Sequence, residues 1–485
     1  ILLASVPVAL PAAFTIAMAY GTERLSSKNV LVTKLESIEE ASTMNVVCLD
    51  KTGTITKNEL SVSEPIMKEG VSKIDIIKYA ALASRKEDQD QIDLAILKAA
   101  DQLEIKIDDI QRIKFIPFDP SLKRSTSIVI LDGKKIEVMK GEPNTIMEIC
   151  GVDKEQKQEF KQKIMDISRK GYRAIGVAYK EENKNWAFLG IIPLSDKPRE
   201  DSKDLISELK ALGLSTKMLT GDNIAIAEDI AIEVGIGDKI LDIESLRGKS
   251  EKEIAELIDK NDGFAGVLSE DKYTIVKTLQ MKGNHVGMTG DGVNDTPALK
   301  QAEVGIAVFN ATDVAKNAAD IVLTSPGIKA IVDAVKESRS IFERMISYTL
   351  MKISRIMQVA FFLSAAFLIL GFMPIRAIQL IIMIFLNDII SITLSLDNQQ
   401  YSSKPDTWDV KSIFTSSLIF SLFLIIEATI LSIYGLSILK MNHSEFQTFL
   451  FLILAVSIQI ITLSVRERRP MFNSRPSKWV TLGLL

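Results

Sequence analysis

Charged and apolar residues are segregated along this chain, and that separation restricts its fold more than any single motif. Ile1 to Tyr20 carries no charged side chain and is long enough to cross a bilayer. It has neither a basic leader nor a small-residue cleavage site, so it does not read as a signal peptide. Four more spans are expected after residue 340, at about Ile346 to Phe372, Ile375 to Leu396, Ile413 to Leu439 and Phe446 to Val465. Trp479 to Leu485 reads as the start of another helix. The first residue is not Met and both ends fall within apolar segments, so a piece lacking its amino-terminal part is expected. Arg24 and Lys28 follow the first span, and Arg466, Arg468 and Arg469 follow the last, which assigns both flanks to the cytoplasm.

Between the spans lies a soluble stretch of roughly three hundred residues, too long for one ordinary core. Residues 21–62 and 191–330 alternate short apolar strands with helices, the pattern of a parallel sheet with crossover helices. Examples are Ser215 to Leu219 followed by Ile224 to Val234, and His285 to Met288 followed by Thr296 to Ala302. Residues 63–190 read as an α+β insertion, and Pro193 with Asp196-Lys197-Pro198-Arg199 as its return linker or hinge. A net charge of -4 without a dominant basic stripe argues against nucleic-acid binding. The two cysteines, Cys48 and Cys150, have no metal spacing and form no disulfide framework, as suits a reduced cytosolic body.

Within this body the buried run Val46 to Leu49 leads directly into Asp50-Lys51-Thr52-Gly53-Thr54. A carboxylate at the carboxyl end of such a strand stands where open α/β sheets hold ligands, and aspartate there can attack phosphorus. Two further strand ends carry acidic, glycine-rich loops: Thr220-Gly221-Asp222, and Thr289-Gly290-Asp291-Gly292-Val293-Asn294-Asp295. Loops that follow parallel strands gather on one sheet edge. Mg²⁺ needs such convergence of oxygens, and Asp50, Asp291 and the Thr52 carbonyl are its candidate ligands. Thr220 and the Gly221 amide are placed to hold a phosphoryl oxygen. Lys272, expected just before a helix Tyr273 to Met281, can neutralise charge developing in transfer. Asn294 and Asp295 read as helix caps or as supports for ligands.

The three motifs, in this order and with an insertion after the first, resemble the P-type ATPases over the whole chain. That resemblance implies an α/β haloacid-dehalogenase-like phosphorylation domain with a Rossmann-like parallel sheet (21–62 and 191–330). It also implies an inserted α+β nucleotide-binding domain (63–190) and a helical transmembrane bundle: span four at 1–20, then the stalk and spans five to eight with the start of nine at 331–485. Asp50 is then the residue phosphorylated by ATP, with Asp222 among the catalytic residues. Phe115 is similar to the aromatic that stacks on adenine, Lys140-Gly141 to the lysine motif of that pocket, and Arg173 to the arginine that reaches the nucleotide phosphates. Glu142-Pro143-Asn144 departs from the family's usual Ala-Pro-Glu. The actuator domain and the first membrane helices of the family, with the Thr-Gly-Glu loop that dephosphorylates the aspartate, are not in this sequence, so poor dephosphorylation is expected.

Pro7-Val8-Ala9-Leu10-Pro11 interrupts the first span and frees backbone carbonyls at mid-depth. It carries neither the glutamate of calcium and sodium/potassium pumps nor the cysteines of heavy-metal pumps, and resembles the plasma-membrane proton pumps instead. Phe385-Leu386-Asn387-Asp388 resembles their Leu-Asn-Asp, which makes Asp388 the proton acceptor beside Asn387. The pumps' facing arginine is replaced by Gln358. Arg355, one turn earlier, is the candidate counter-ion by its reach, with Lys352 about two turns away. Another transported cation stays open, and Glu427 is a second intramembrane acid.

Overall fold

The computed structural model describes residues 9–107, 110–169, 171–467 and 474–484. It divides into two compact units. The first comprises Ile1–Val47, Glu208–Ser215 and Leu279–Leu485; the second comprises Cys48–Ser207 and Thr216–Thr278. Pro7, Val8, Arg468 and Arg469 lie outside the described residues.

In the first unit four short strands form a ladder. Val286–Gly290, Val304–Ala307 and Ile321–Leu323 run parallel in that order, and Val30–Val32 closes the edge antiparallel to Ile321–Leu323. Every residue of the first two is buried, as expected for parallel strands covered on both faces. Four helices in the described residues are long and apolar enough to cross a membrane: Lys329–Leu370, Ala377–Leu394, Val410–Ile438 and His443–Val465. The expected first span appears as the helix Leu10–Ser27, which is not among those four because the apolar start of that segment lies outside the described residues.

The stalk expected from 331 and the apolar span expected from about Ile346 belong to a single helix that begins at Lys329 and runs for 42 residues. No glycine or proline interrupts it, so the polar stalk and the apolar span form one rod. At its polar end Glu337, 2% exposed, receives Arg24 at 3.1 Å and Lys28 at 3.0 Å from the helix Leu10–Ser27.

The second unit holds a seven-stranded antiparallel sheet and three parallel strands. Burial alternates along Arg124–Leu131, the period of two of a sheet with one face on a core. Val129 of that strand packs with Leu82, Ala83, Ile136 and Val138, while Ile76, Ile77, Ala80 and Ile96 from the helices Lys73–Leu82 and Gln91–Gln102 pack on Val177, Leu189 and Ile192 of the same sheet. The expected return linker is instead the end of a strand, Ala187–Pro198, paired antiparallel with Thr56–Val62 so that Thr56 faces Pro198 and Leu60 faces Asp196. A hydrogen-bonded ribbon therefore joins the insertion to the rest of the unit. Burial raises the pKa of Asp196 above the usual carboxylate range, with the hydrogen bond from Thr56 Oγ1 at 2.6 Å opposing the shift.

Candidate active site and intramembrane charge pair

The strand Val46–Asp50 is buried at every residue and ends on Asp50, 7% exposed. The chain then turns at Gly53, whose φ of 72° is readily adopted only by glycine, and this compact turn returns Thr56 Oγ1 to the Lys51 carbonyl at 3.2 Å. Lys51 Nζ lies 2.7 Å from Asp222 Oδ2, and Lys272 Nζ donates to Asp50 Oδ1 at 2.9 Å. A loop and a helix distant in sequence are thus tied to the turn by partly buried charge pairs. Lys272 is not before its helix, as expected, but within the first turn of Ser269–Met281, which starts earlier because the Asp271 carboxylate accepts from Leu268 N at 2.9 Å.

Thr220 directly follows the strand Ser215–Leu219 and its hydroxyl accepts from Asp222 N at 3.1 Å, so the hydroxyl proton remains available to an anion. The Gly221 backbone adjoins it, with Val267 O 3.6 Å from where a Cβ would stand. In the first unit Asp291 follows the strand Val286–Gly290. Its amide and that of Gly292 both donate to Asp295 Oδ2 at 3.1 Å, so Asp295 shapes the loop. A Cβ on Gly290 would stand 2.5 Å from Asp295 Cβ. Gly290→Ala is therefore expected to cost about 1–3 kcal/mol by overpacking, measurable as a lower unfolding midpoint. Asp50, Thr52 and Asp291 all offer hard oxygen donors, the chemistry that Mg²⁺ requires.

Phe115, Lys140, Gly141 and Arg173 line one cleft of about 710 Å³ in the second unit. The size suits a small-molecule ligand. Arg85 and Arg112 stand 4.9 and 5.3 Å from the Phe115 ring centroid, so this aromatic is a cation-flanked cleft wall rather than a core side chain. Lys140 is buried on the cleft floor, paired with Asp93 and donating to Ser84 Oγ at 2.6 Å. Burial lowers its pKa, and the Asp93 charge opposes that shift. Sequence reasoning missed Asp93 and Ser84 because nothing local links them to Lys140, 47 and 56 positions away. A second cleft of about 520 Å³, also within this unit, is lined by Lys51, Thr52, Asp222 and again Arg173.

In the membrane bundle Asp388 pairs with Lys352, not Arg355. Arg355 is drawn away to the Leu454 carbonyl, Gln358 and, at 3.4 Å, Ser457 Oγ. A helix places residues three apart about 60° from one another, so the buried carbonyl captured one cation and left the other for the acid. Asn387 is 5% exposed and, with Lys352 and Arg355, lines a cavity of only about 30 Å³. Glu427 is half-buried on Val410–Ile433.

The haloacid dehalogenase-like hydrolase family matches residues 44–303, more than half of the chain. A protein of Methanocaldococcus jannaschii named provisionally as a cation-transporting ATPase is 43% identical over 99% of the chain and 61% of its own length. The plasma membrane ATPase of Kluyveromyces lactis is 36% identical over 100% of the chain and 56% of its own length. Plasma membrane ATPase 1 of Saccharomyces cerevisiae is 37% identical over 99% and 54%. The chain thus spans between half and two thirds of the length of these relatives.

Proposed function

The chain belongs to the haloacid dehalogenase-like hydrolases and, among them, to the P-type cation ATPases, and from that membership we infer that it carries the phosphorylation, nucleotide and ion sites of an ATP-driven cation pump. The observation that carries this reading is Arg173, which lines both the cleft of Phe115 and Lys140 and the cleft of Lys51 and Thr52. A base in the first cleft and a triphosphate passing Arg173 end at the turn that follows Asp50.

In the proposed reaction an Asp50 carboxylate oxygen attacks the γ-phosphorus in line. The bond from phosphorus to the bridging oxygen breaks, and ADP leaves with the electron pair. Lys272, paired with Asp50 at 2.9 Å, faces the charge that develops on the phosphoryl oxygens. Thr220 donates its hydroxyl proton to one of those oxygens, and Asp222 holds Lys51 at the same turn. Asp50, the Thr52 carbonyl and Asp291 are the residues that would hold Mg²⁺, which neutralises phosphate charge when bound. Residues 63–190 act as the nucleotide-binding domain, and 21–62 with 191–330 as the phosphorylation domain.

The transported ion is read as a proton, with Asp388 as its carrier in the plasma membrane. Lys352 already presents a tethered cation to this acid, and the cavity that Lys352 and Asn387 line, to which Asp388 does not contribute, is only about 30 Å³. Such a site suits protonation better than a hydrated metal ion. Relatives from Kluyveromyces lactis and Saccharomyces cerevisiae are named plasma membrane ATPases, which supports that location. Asp388→Asn in vesicles containing the intact pump is expected to cut ATP-driven acidification at least about tenfold while phosphorylation of Asp50 persists. Undiminished acidification removes Asp388 as carrier, and stimulation of phosphorylation by a metal cation assigns the pump to that ion instead.

A further inference from the structure

We propose that the contact of Gly171 with Ile226 sets the distance between the nucleotide cleft and the phosphoryl acceptor, making Gly171 a positioning residue for transfer from ATP. The inference rests on the ATP-driven reading above. Gly171 has a φ of +78°, and a Cβ built on it would stand 2.1 Å from Ile226 Cγ1 and 2.2 Å from Cδ1. Backbone at 171 therefore packs directly on the Ile226 side chain.

Each partner is tied by a short stretch of chain to one of the two sites. Gly171 lies two residues before Arg173, which lines both clefts, and its amide donates to Ser168 O at 3.0 Å while that of Tyr172 donates to Ile167 O at 3.0 Å. Ile226 lies in the first turn of the helix Ile224–Glu233, whose cap Asn223 accepts from Ile226 N at 3.2 Å. Asn223 immediately follows Thr220-Gly221-Asp222. Gly171 and Ile226 both line the cleft that holds Lys51 and Thr52. A methyl group at 171 would need ordinary contact distances of about 3.5–4.0 Å, so either the half-buried Ile226 side chain turns aside or the walls part by well over an ångström, and a wall displacement is what the test below detects. Transfer requires reacting atoms about 3–3.5 Å apart, and such a displacement removes most of the rate.

The test compares two phosphoryl donors on the whole chain. ATP uses both clefts, whereas acetyl phosphate has no base and needs only the turn at Asp50: a carboxylate oxygen bonds to phosphorus as acetate leaves with the electron pair. Gly171→Ala is expected to lower labelling of Asp50 by ATP about a hundredfold and leave labelling by acetyl phosphate within about twofold of wild type. Removing the overlap in Gly171→Ala/Ile226→Ala restores transfer from ATP to within about fivefold, although the positive φ remains. The inference is overturned alone if Gly171→Ala is labelled by ATP as fast as wild type, if both donors fail together, or if the double variant does not recover. A wild-type chain labelled by acetyl phosphate and not by ATP sinks the pump reading and this inference with it.

Discussion

Asp50→Asn is expected to reduce covalent phosphate incorporation from Mg-ATP by a factor of about a thousand or more. The substitution keeps the shape of the side chain at the end of a fully buried strand, so the loss comes from chemistry and not from packing. A carboxylate oxygen carries the negative charge that attacks phosphorus, and Lys272 donates to that carboxylate at 2.9 Å. An amide has no such charge and presents a poor nucleophile. Acid-quenched labelling with γ-phosphate-labelled ATP measures the effect. Wild-type label should be released by hydroxylamine, the mark of an acyl phosphate. Equal label on the asparagine variant would show that the phosphate is carried elsewhere.

The second large effect concerns stability, at the polar end of the bundle. Asp397 is fully buried, accepts from Arg466 Nε at 2.9 Å and from Ser477 N at 2.8 Å, and offers its backbone carbonyl to Arg344 Nε at 2.8 Å. Asp397→Ala leaves the Arg466 guanidinium, 1% exposed, without its counter-charge, although it still donates to Ser474 O at 2.7 Å. Breaking one side of a buried pair costs about 3–5 kcal/mol, much of it from the uncompensated charge. Denaturant unfolding in detergent measures the loss. Removing both charges in Asp397→Leu/Arg466→Met should cost less than Asp397→Ala alone, because no orphaned charge remains. An Asp397→Ala protein as stable as wild type would show that water reaches Arg466 and that the pair contributes little.

Local signals carried much of this reading. Continuous apolar runs such as Val46 to Leu49 and Val286 to Met288 became strands buried on both faces, because a run without alternation fits no half-exposed surface. The glycine of the first motif marked a turn with positive φ. Segregated charge located four helices able to cross a membrane, while the continuity of the stalk expected from 331 with the apolar span expected from about 346, in one helix from Lys329, came from the structure. Hydropathy reports where lipid begins; helix continuity depends on the absence of breakers, which the apolar pattern does not register.

Partner choice was less legible. Spacing along one helix offered Lys352 and Arg355 as counter-ions for Asp388, and the neighbouring Leu454 carbonyl decided between them. The return linker became a strand because Thr56–Val62 lay alongside to supply its hydrogen bonds. Lys140 settled on Asp93, and Arg173 came to line two clefts, through folding of segments far apart in the chain. The sequence by itself determined the apolar spans, the buried strands and the nucleophile's place at a strand end, since these follow from periodicity and backbone preference over a few neighbouring residues. Only the tertiary structure decided which charge each buried charge meets, because desolvation makes that choice among groups whose proximity arises after the chain has folded.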